Sequence, residues 1–322
     1  QRPVLLTGVV LNVAFAVAFV ATIADAPDAV LIALAGATGL SLPQVGPLSR
    51  VRWMAMSHDD LSAAFAFEGV TDEVVYIVGP ALVGILAVTV SPEAALLSAA
   101  ALIAVFVTQF ALHPSARFTA PRMDPASEAA SDEAVVPVSA AARRTIGALV
   151  LGGMLAMGTF FGASQAGLTS FALANGLGDS GSLLYAVMAV GSAVATVAMV
   201  TVPDRIGFAT RWVLAGVGMA LGAVGMMLAP NVGILLVWAV LAGAFQGPAL
   251  LTIFSVAGSI AQPGRAGILM TLTGSGVVMG VAVGTSLGGA LAAEGGSTAA
   301  FGLVVTAAGV LAALGVGVGV LT

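Results

Sequence analysis

The chain has 322 residues, of which 59% are hydrophobic and only 8% are charged, and its net charge is −5. This composition excludes a single water-soluble globule, which could not bury so large an apolar fraction, and predicts an all-α polytopic membrane protein. The absence of any basic patch on a soluble domain excludes nucleic acid as a partner. The absence of cysteine excludes disulfide, iron–sulfur and thiolate chemistry.

Ten apolar stretches predict membrane-spanning helices, each of which needs about 20 residues. In chain order they cover residues 3–24, 29–49, 62–90, 93–112, 145–172, 181–202, 212–229, 232–260, 266–293 and 298–321. Between the fourth and fifth stretches, a long segment is rich in Pro, Ser, Ala and acidic residues. We therefore predict an N-terminal bundle of four spans (residues 1–112), a linker (residues 113–144) and a C-terminal bundle of six spans (residues 145–322).

The charges between these stretches predict their orientation. All ten bases are arginines, and they occur only in every second gap, whereas the intervening gaps carry no base, and three of the five carry acids. Short loops with positive charge are retained on the cytoplasmic side of a membrane. We therefore predict a multi-pass protein of the plasma membrane, with both chain ends and the linker in the cytoplasm.

The third stretch carries the only cluster of ionisable residues within a span. Glu68 and Asp72 lie one helical turn apart, on a face shared with Tyr76 and Gly79. Two carboxylates so close repel each other, so one should bind a proton more readily unless Arg50 or Arg52 reaches it. They are candidate proton-coupling residues. Alternatively, residues 74–90 are almost long enough to span the membrane alone, which would leave the acids in interfacial water.

The same stretch contains a predicted kink at Gly79 and Pro80. Pro80 cannot donate a backbone hydrogen bond, so the carbonyl of Tyr76 loses its usual partner and the helix should bend there. A bend beside a glycine is a candidate hinge, although many membrane helices contain a proline that has no gating role.

Amides and aromatic rings in the fifth and eighth stretches outline a candidate substrate cavity. Phe161 precedes Gln165 by one turn, and Gln246 lies in mid-membrane on the same helix as Trp238. Such a mixture suits a partly apolar organic solute, so we predict these four residues as substrate-binding. Hydrogen bonds between helices explain the two glutamines equally well.

The loop after the sixth stretch has the sequence Asp204-Arg205-Ile206-Gly207. The glycine is expected to permit a tight turn, and the two charges can pair with helix ends or with facing charges. The alternative is a solvated turn. The ninth stretch carries a face of small residues that favours close helix packing: Gly276, Gly280, Gly284 and Gly288.

The sequence does not predict an enzyme. His58 and His113 both lie in predicted cytoplasmic segments, and no Ser/His/Asp or metal-ligand spacing occurs within a span. Three adjacent residues, His58-Asp59-Asp60, make poor ligand geometry for a metal. We therefore expect neither a metal nor a cofactor.

Several of these motifs resemble those of one family, the major facilitator superfamily of transporters in the form common in actinobacteria. Residues 203–207, followed by Arg211, resemble its Asp-Arg-x-Gly loop, and residues 1–5 resemble the tail of a first copy of that loop. Gly79-Pro80 with Gly84 resembles its Gly-Pro antiporter motif, with Val83 in place of a glycine. The resemblance extends over essentially the whole chain.

The resemblance implies two bundles related by a pseudo-two-fold axis, a cytoplasmic latch at residues 204–207, and a cavity lined by spans two, five and eight. It also implies that two family helices before Gln1 are lacking. Because the family packs the equivalent of the ninth span against one of these helices, the glycine face of that span is expected to meet a gap or lipid.

These features predict a monomeric secondary active transporter that couples the efflux of small, partly hydrophobic compounds to protons by alternating access. Its predicted partners are a small-molecule substrate, a proton or other coupling ion, and the lipid bilayer. One alternative is uptake of a sugar or another metabolite. Another is a non-transporting membrane protein or a channel, although polar residues are sparse for a pore.

Overall fold

The structure is a computed structural model that describes residues 1–56, 61–119, 139–178, 180–203, 205–261 and 266–321. Within this part of the chain the regular structure is helical throughout. Ten helices carry the fold, and we label them in chain order: α1 (Arg2–Thr22), α2 (Asp28–Leu40), α3 (Val45–Met56), α4 (Leu61–Thr89), α5 (Pro92–Leu112), α6 (Ala140–Ala174), α7 (Gly181–Ala198), α8 (Phe208–Met227), α9 (Val232–Ile260) and α10 (Ala266–Leu321). This confirms the all-α prediction.

Helix α10 is too long for a single membrane crossing. Its 56 residues correspond to about 84 Å of α-helix, whereas the hydrocarbon core of a bilayer is about 30 Å thick. The helix breaks at Gly296, whose φ of 66° lies in the left-handed region that favours glycine. This break falls within the predicted outer loop at residues 294–297, between the ninth and tenth predicted spans.

Eight helical segments in the described part of the chain are long and apolar enough to cross a membrane, with α10 counted once and α2 and α3 joined as Asp28–Trp53. The 29-residue helix α4 covers the third predicted span. The membrane-protein class is therefore confirmed, and the number of ten spans stays a prediction.

The second predicted span, residues 29–49, is not one continuous helix. Helix α2 ends at Leu40, residues 42–44 are not helical, and α3 begins at Val45. Pro43 explains the break, because a proline disfavours helical backbone in the residue before it. The end of α2 is closed by side chains: Ser41 Oγ donates to the carbonyl of Ala37 at 2.7 Å, and Asn12 Nδ2 donates to that of Thr38 at 2.7 Å.

The chain divides into two compact units. The first comprises Gln1–Phe65 and Leu82–Arg122, and the second comprises Ala66–Ala81 and Met123–Thr322. The middle of α4 therefore groups with the second unit, whereas our prediction assigned all of α4 to the first bundle. The boundaries at residues 112 and 145 stay predictions.

One end of the first unit contains a buried arginine that joins several of its elements. Arg52 is 2% exposed. Its Nη1 donates to the carbonyl of Phe110 at 2.8 Å and to Ser115 Oγ at 3.1 Å, and its Nε donates to Gln1 Oε1 at 3.2 Å. The guanidinium also lies 3.6 Å from the ring centroid of Phe110. Arg52 therefore connects α1, α3 and the end of α5.

The second unit has the larger core, and a tryptophan lies at one of its closely packed points. Trp212 is fully buried, and its Nε1 donates to the carbonyl of Leu311 at 2.9 Å. Its ring lies so close to Gly153 and Gly315 that a Cβ on either glycine would clash with it. Helices α6, α8 and the second half of α10 therefore meet at this side chain.

The glycine face of α10 packs against protein, so our expectation of a gap or lipid is wrong. A Cβ on Gly280 would clash with the carbonyl of Leu155 and lie 2.9 Å from Cα of Gly158, and one on Gly284 would lie 2.8 Å from Cα of Thr159. Helix α6 covers this face because it presents small residues of its own at the contact, including Gly158.

Candidate functional site

The second unit contains three buried polar side chains that are candidates for recognising a solute. Ser164 in α6, Ser192 in α7 and Gln246 in α9 are at most 2% exposed. Among the described residues, Ser164 Oγ, Ser192 Oγ and Gln246 Oε1 have no hydrogen-bond partner. All three lie about 15–20 Å along their helices from the ends predicted to face outside. A buried polar atom without a partner costs about 1–3 kcal/mol, so three at similar depth call for a reason.

Gln246 lies where α9 approaches α7 closely. One turn before it, a Cβ on Gly243 would clash with the carbonyl of Met188 and lie 3.2 Å from the backbone nitrogen of Ser192. Two residues after it, Pro248 interrupts the hydrogen-bond pattern inside α9, so the carbonyl of Ala244 lacks its usual partner. The amide of Gln246 therefore lies close in sequence to a backbone carbonyl, that of Ala244, which accepts no helical hydrogen bond.

Gln165 occupies a different environment. It lines an open groove of about 550 Å³ between α6 and α10, together with Thr169, Ser170, Thr285 and Gly289. The lining of this groove is mainly apolar, and its polar groups are the amide and three hydroxyls. Thr285 Oγ1 already donates to the carbonyl of Val281 at 2.8 Å. The structure therefore places the two predicted glutamines in separate sites, one in a groove and one buried.

The two predicted aromatic residues are packing residues in this structure. Phe161 is 3% exposed, and its ring lies edge-on to that of Phe160, with centroids 6.4 Å apart. Trp238 stacks so closely on Gly225 of α8 that a Cβ on that glycine would clash with the indole. Trp238 therefore points towards α8, whereas Gly243, near Gln246, contacts α7.

Glu68 is buried, with 8% of its surface exposed, although it lies on a helix whose other side is open. Phe67 is 65% exposed and Val75 is 60% exposed. Asp72 lies in the same helix, α4, and its side chain is outside the described part of the structure. The carboxylate of Glu68 is therefore shielded from bulk water, whereas its proton-coupling role stays a proposal.

In the loop before α8, Arg211 is the residue that holds the backbone. Its Nε donates to the carbonyl of Ile206 at 2.7 Å, and its Nη2 donates to that of Pro203 at 3.0 Å. Arg205 is exposed, and Asp204 lies outside the described residues. Gly207 has a φ of −61° and a ψ of 157°, which any residue adopts. Our expectation that this glycine permits the turn is therefore wrong.

The predicted hinge lies inside an unbroken helix. Helix α4 continues through Gly79 and Pro80, and a Cβ on Gly79 would meet no described atom within 4 Å. The side chains of Pro80 and Tyr76 lie outside the described part. In the residues that are described, no group of three or more His, Cys, Asp or Glu could hold a metal ion.

Sequence reasoning missed Ser164, Ser192 and Arg211. Ser164 and Ser192 are isolated hydroxyls in apolar stretches, and nothing in their spacing distinguishes them from the serines and threonines that bond to their own helix. Arg211 was noted only as part of the loop motif. Its role depends on the path of the chain back to Pro203, eight residues earlier.

Comparison with known proteins gives the fold. No protein-family model matches the chain, and no curated protein sequence matches it. The structure is similar to that of the human organic anion transporter MFSD10 (TETRAN), with a TM-score of 0.63 and 18% identity over 96% of this chain and 76% of that one. It is also similar to the E. coli fucose:proton symporter FucP, with a TM-score of 0.55 and 13% identity over 98% of this chain and 83% of that one.

A second structure of FucP, in the outward conformation, has a TM-score of 0.52 and 15% identity, covering 98% of this chain and 82% of that one. All three neighbours are transporters of the major facilitator superfamily. The similarity covers nearly the entire chain, including both groups of helices. The chain therefore has the fold of the major facilitator superfamily of transporters.

Proposed function

We propose that the protein is a secondary active transporter that exports small, partly hydrophobic compounds in exchange for protons by alternating access. The single observation that carries this proposal is Gln246, an amide buried at mid-helix whose Oε1 has no partner among the described residues, in a chain with a transporter fold. A structural glutamine would be expected to have its amide satisfied. An amide that binds a solute during only part of a transport cycle would lack a hydrogen-bond partner when the solute is absent.

The substrate-binding residues in this proposal are Phe161, Gln165, Trp238 and Gln246. Gln246 supplies a hydrogen bond in the interior, and Gln165 does so from the groove between α6 and α10. The rings of Phe161 and Trp238 pack against protein in the described structure, so this proposal requires that they turn apolar surface to the solute in another state of the transport cycle. In both the buried and the groove environment, amides and hydroxyls outnumber charged groups, which favours neutral or weakly charged solutes.

The coupling residues in this proposal are Glu68 and Asp72. A group that carries a proton across the membrane has to be separated from bulk water during part of the transport cycle. Glu68, at 8% exposure, meets this requirement. The loop at residues 204–207 is proposed to act as the cytoplasmic latch, held in shape by Arg211, and Gly79 with Pro80 is proposed as a hinge.

Counterflow tests the proposal directly. Vesicles that contain the purified protein are loaded with one unlabelled solute from a panel of lipophilic weak bases, organic anions and sugars, and the same labelled solute is added outside. A carrier accumulates label transiently because its site exchanges solute, whereas a channel only equilibrates it. Vesicles without protein are the control. No counterflow with any member of the panel would contradict transport of these classes.

Direction is tested with the solute that gives counterflow. For proton-coupled export, an inside-out vesicle with an acidic lumen should accumulate the solute, and collapsing the pH gradient should abolish accumulation. Accumulation of a sugar in inside-out vesicles whose lumen is more alkaline than the medium would instead support the alternative of uptake. The similarity in fold to a fucose:proton symporter favours this alternative.

A further inference from the structure

A second cavity lies at the opposite end of the helices from the groove that contains Gln165. It has a volume of about 360 Å³ and is formed where α6 and α10 begin and α9 ends. All of its lining residues belong to the second unit. Six of them carry the argument: Arg143, Arg144, Gly147, Ile260, Ile268 and Leu272.

The α6 side of this cavity carries two cations. Arg143 and Arg144 lie in the first turns of α6, at the end of the helix that is predicted to be cytoplasmic. Among the described residues, Nε of Arg143 is buried and has no hydrogen-bond partner. A guanidinium with an unused donor, next to a second guanidinium, is suited to bind the oxygens of a phosphate group.

The α10 wall of the cavity is apolar and open to the surroundings of the protein. Leu272 lies six residues from the start of α10, which is about 9 Å along its axis. Ile268 is 63% exposed and Leu272 is 49% exposed. Ile260, which is buried, closes the inner wall. The cavity therefore combines two arginines on α6 with an exposed apolar wall on α10.

We propose that this cavity binds an anionic phospholipid, with the headgroup phosphate on Arg143 and Arg144 and an acyl chain along Ile268 and Leu272. A phosphate alone would use the arginines and leave the apolar surface uncovered. A neutral lipid would cover the apolar surface and leave two cations without a counter-ion. An anionic lipid satisfies both parts, and basic pockets between membrane helices on the cytoplasmic side suit such headgroups.

The test is native mass spectrometry of the purified full-length chain during titration with phosphatidylglycerol. Parallel titrations use phosphatidylcholine, which has acyl chains without net negative charge, and glycerol phosphate, which has the headgroup without chains. The wild-type protein should bind phosphatidylglycerol in preference to both. Replacing each arginine by glutamine should weaken that binding about fivefold, and Arg143→Gln with Arg144→Gln about twenty-five-fold.

A second variant keeps both charges and fills the space. A Cβ on Gly147 would meet its nearest described neighbour, Cδ1 of Ile260, only at 4.0 Å, so Gly147→Leu fits without a clash at its Cβ and occupies the cavity. It should also weaken binding of phosphatidylglycerol about tenfold or more. Arg2→Gln removes an exposed arginine elsewhere on the predicted cytoplasmic face and should leave binding unchanged.

Three results would overturn the proposal. Unchanged phosphatidylglycerol binding in both the double variant and Gly147→Leu would show that the lipid binds elsewhere. Equal binding of phosphatidylcholine would show that the arginines do not select the ligand. Displacement of the lipid by glycerol phosphate at equal concentration would show that the cavity takes a soluble anion and that the apolar surface contributes nothing.

Discussion

Gly158 of α6 and Gly280 of α10 meet at backbone contact distance. A Cβ on Gly158 would lie 2.9 Å from the carbonyl carbon of Gly280, and a Cβ on Gly280 would lie 2.9 Å from Cα of Gly158. Side-chain atoms do not approach backbone so closely, so only glycine is accommodated at either position without a shift of one helix. This contact brings together the two helices that line the groove containing Gln165.

Gly280→Val should therefore destabilise the protein. The branched side chain must push α10 away from α6, and overpacking of this kind costs about 1–3 kcal/mol. Thermal unfolding of the purified protein in detergent measures the loss. Gly309→Ala, also in α10, is the control, because a Cβ at Gly309 would meet no described atom within 4 Å. An equal loss of stability in the two variants would contradict the contact.

Gln246→Met should stabilise the protein and impair transport. Methionine has a similar volume and no polar atom to leave without a partner, so the cost of burying Oε1, about 1–3 kcal/mol, is relieved. If the amide binds solute, counterflow should fall about tenfold. Thermal unfolding and counterflow are measured on the same sample. The exposed residue Gln109 provides the control, Gln109→Met, which should change neither. A variant less stable than wild type with normal counterflow would assign Gln246 a structural role.

Glu68→Gln and Asp72→Asn should uncouple transport from protons. Accumulation driven by a pH gradient should be abolished, whereas counterflow at equal pH should persist, because exchange of substrate does not require net proton movement. Asp25→Asn, at an exposed position in a predicted outer loop, is the control and should retain both activities. Normal pH-driven accumulation in both variants would contradict proton coupling through these carboxylates and would support the alternative that they lie in interfacial water.

Labelling of single cysteines should show that the two ends of the helices lie on opposite sides of the membrane. The chain has no native cysteine, so each introduced thiol is read without background. Cysteine at the exposed Thr210 should react with an impermeant maleimide only from the cytoplasm, and cysteine at the exposed Pro27 or Pro230 only from outside. Gly296 is avoided because its positive φ makes a side chain costly. If the cysteine variants at Thr210 and Pro230 react from the same side of the membrane, the predicted topology is wrong.

Arg211→Gln should loosen the loop before α8. The substitution removes two hydrogen bonds from the guanidinium to the carbonyls of Ile206 and Pro203. A cysteine at the half-buried Ile206 should then react with maleimide several times faster. The control is Arg2→Gln, which removes an exposed arginine from the same predicted face of the membrane. An unchanged rate in the Arg211 variant would show that the loop is held by other contacts.

Part of this structure could be predicted from single residues and local patterns. The lengths of the apolar stretches are sufficient to predict the helices, because a membrane helix satisfies its own backbone and needs only about 20 apolar residues. The acidic and glycine-rich segment at residues 294–297 was predicted as a loop, and the backbone does break at Gly296. The burial of Gln246 also follows from its position in mid-stretch.

Other features required the tertiary structure. A glycine face indicates that another helix approaches, but helical periodicity does not say which one. The family resemblance implies a gap at Gly280, whereas the structure packs it against Gly158. Trp238 and Gln246 share a helix, yet the contacts of the helix place the indole against α8. Likewise, Arg211 holds the loop because the folded backbone brings two carbonyls within its reach. The amino-acid pattern is sufficient to locate most of the helical segments, because helix formation in a membrane depends on local backbone hydrogen bonding and apolar length. Which side chains meet depends on how the helices pack, and this becomes visible only in the folded protein.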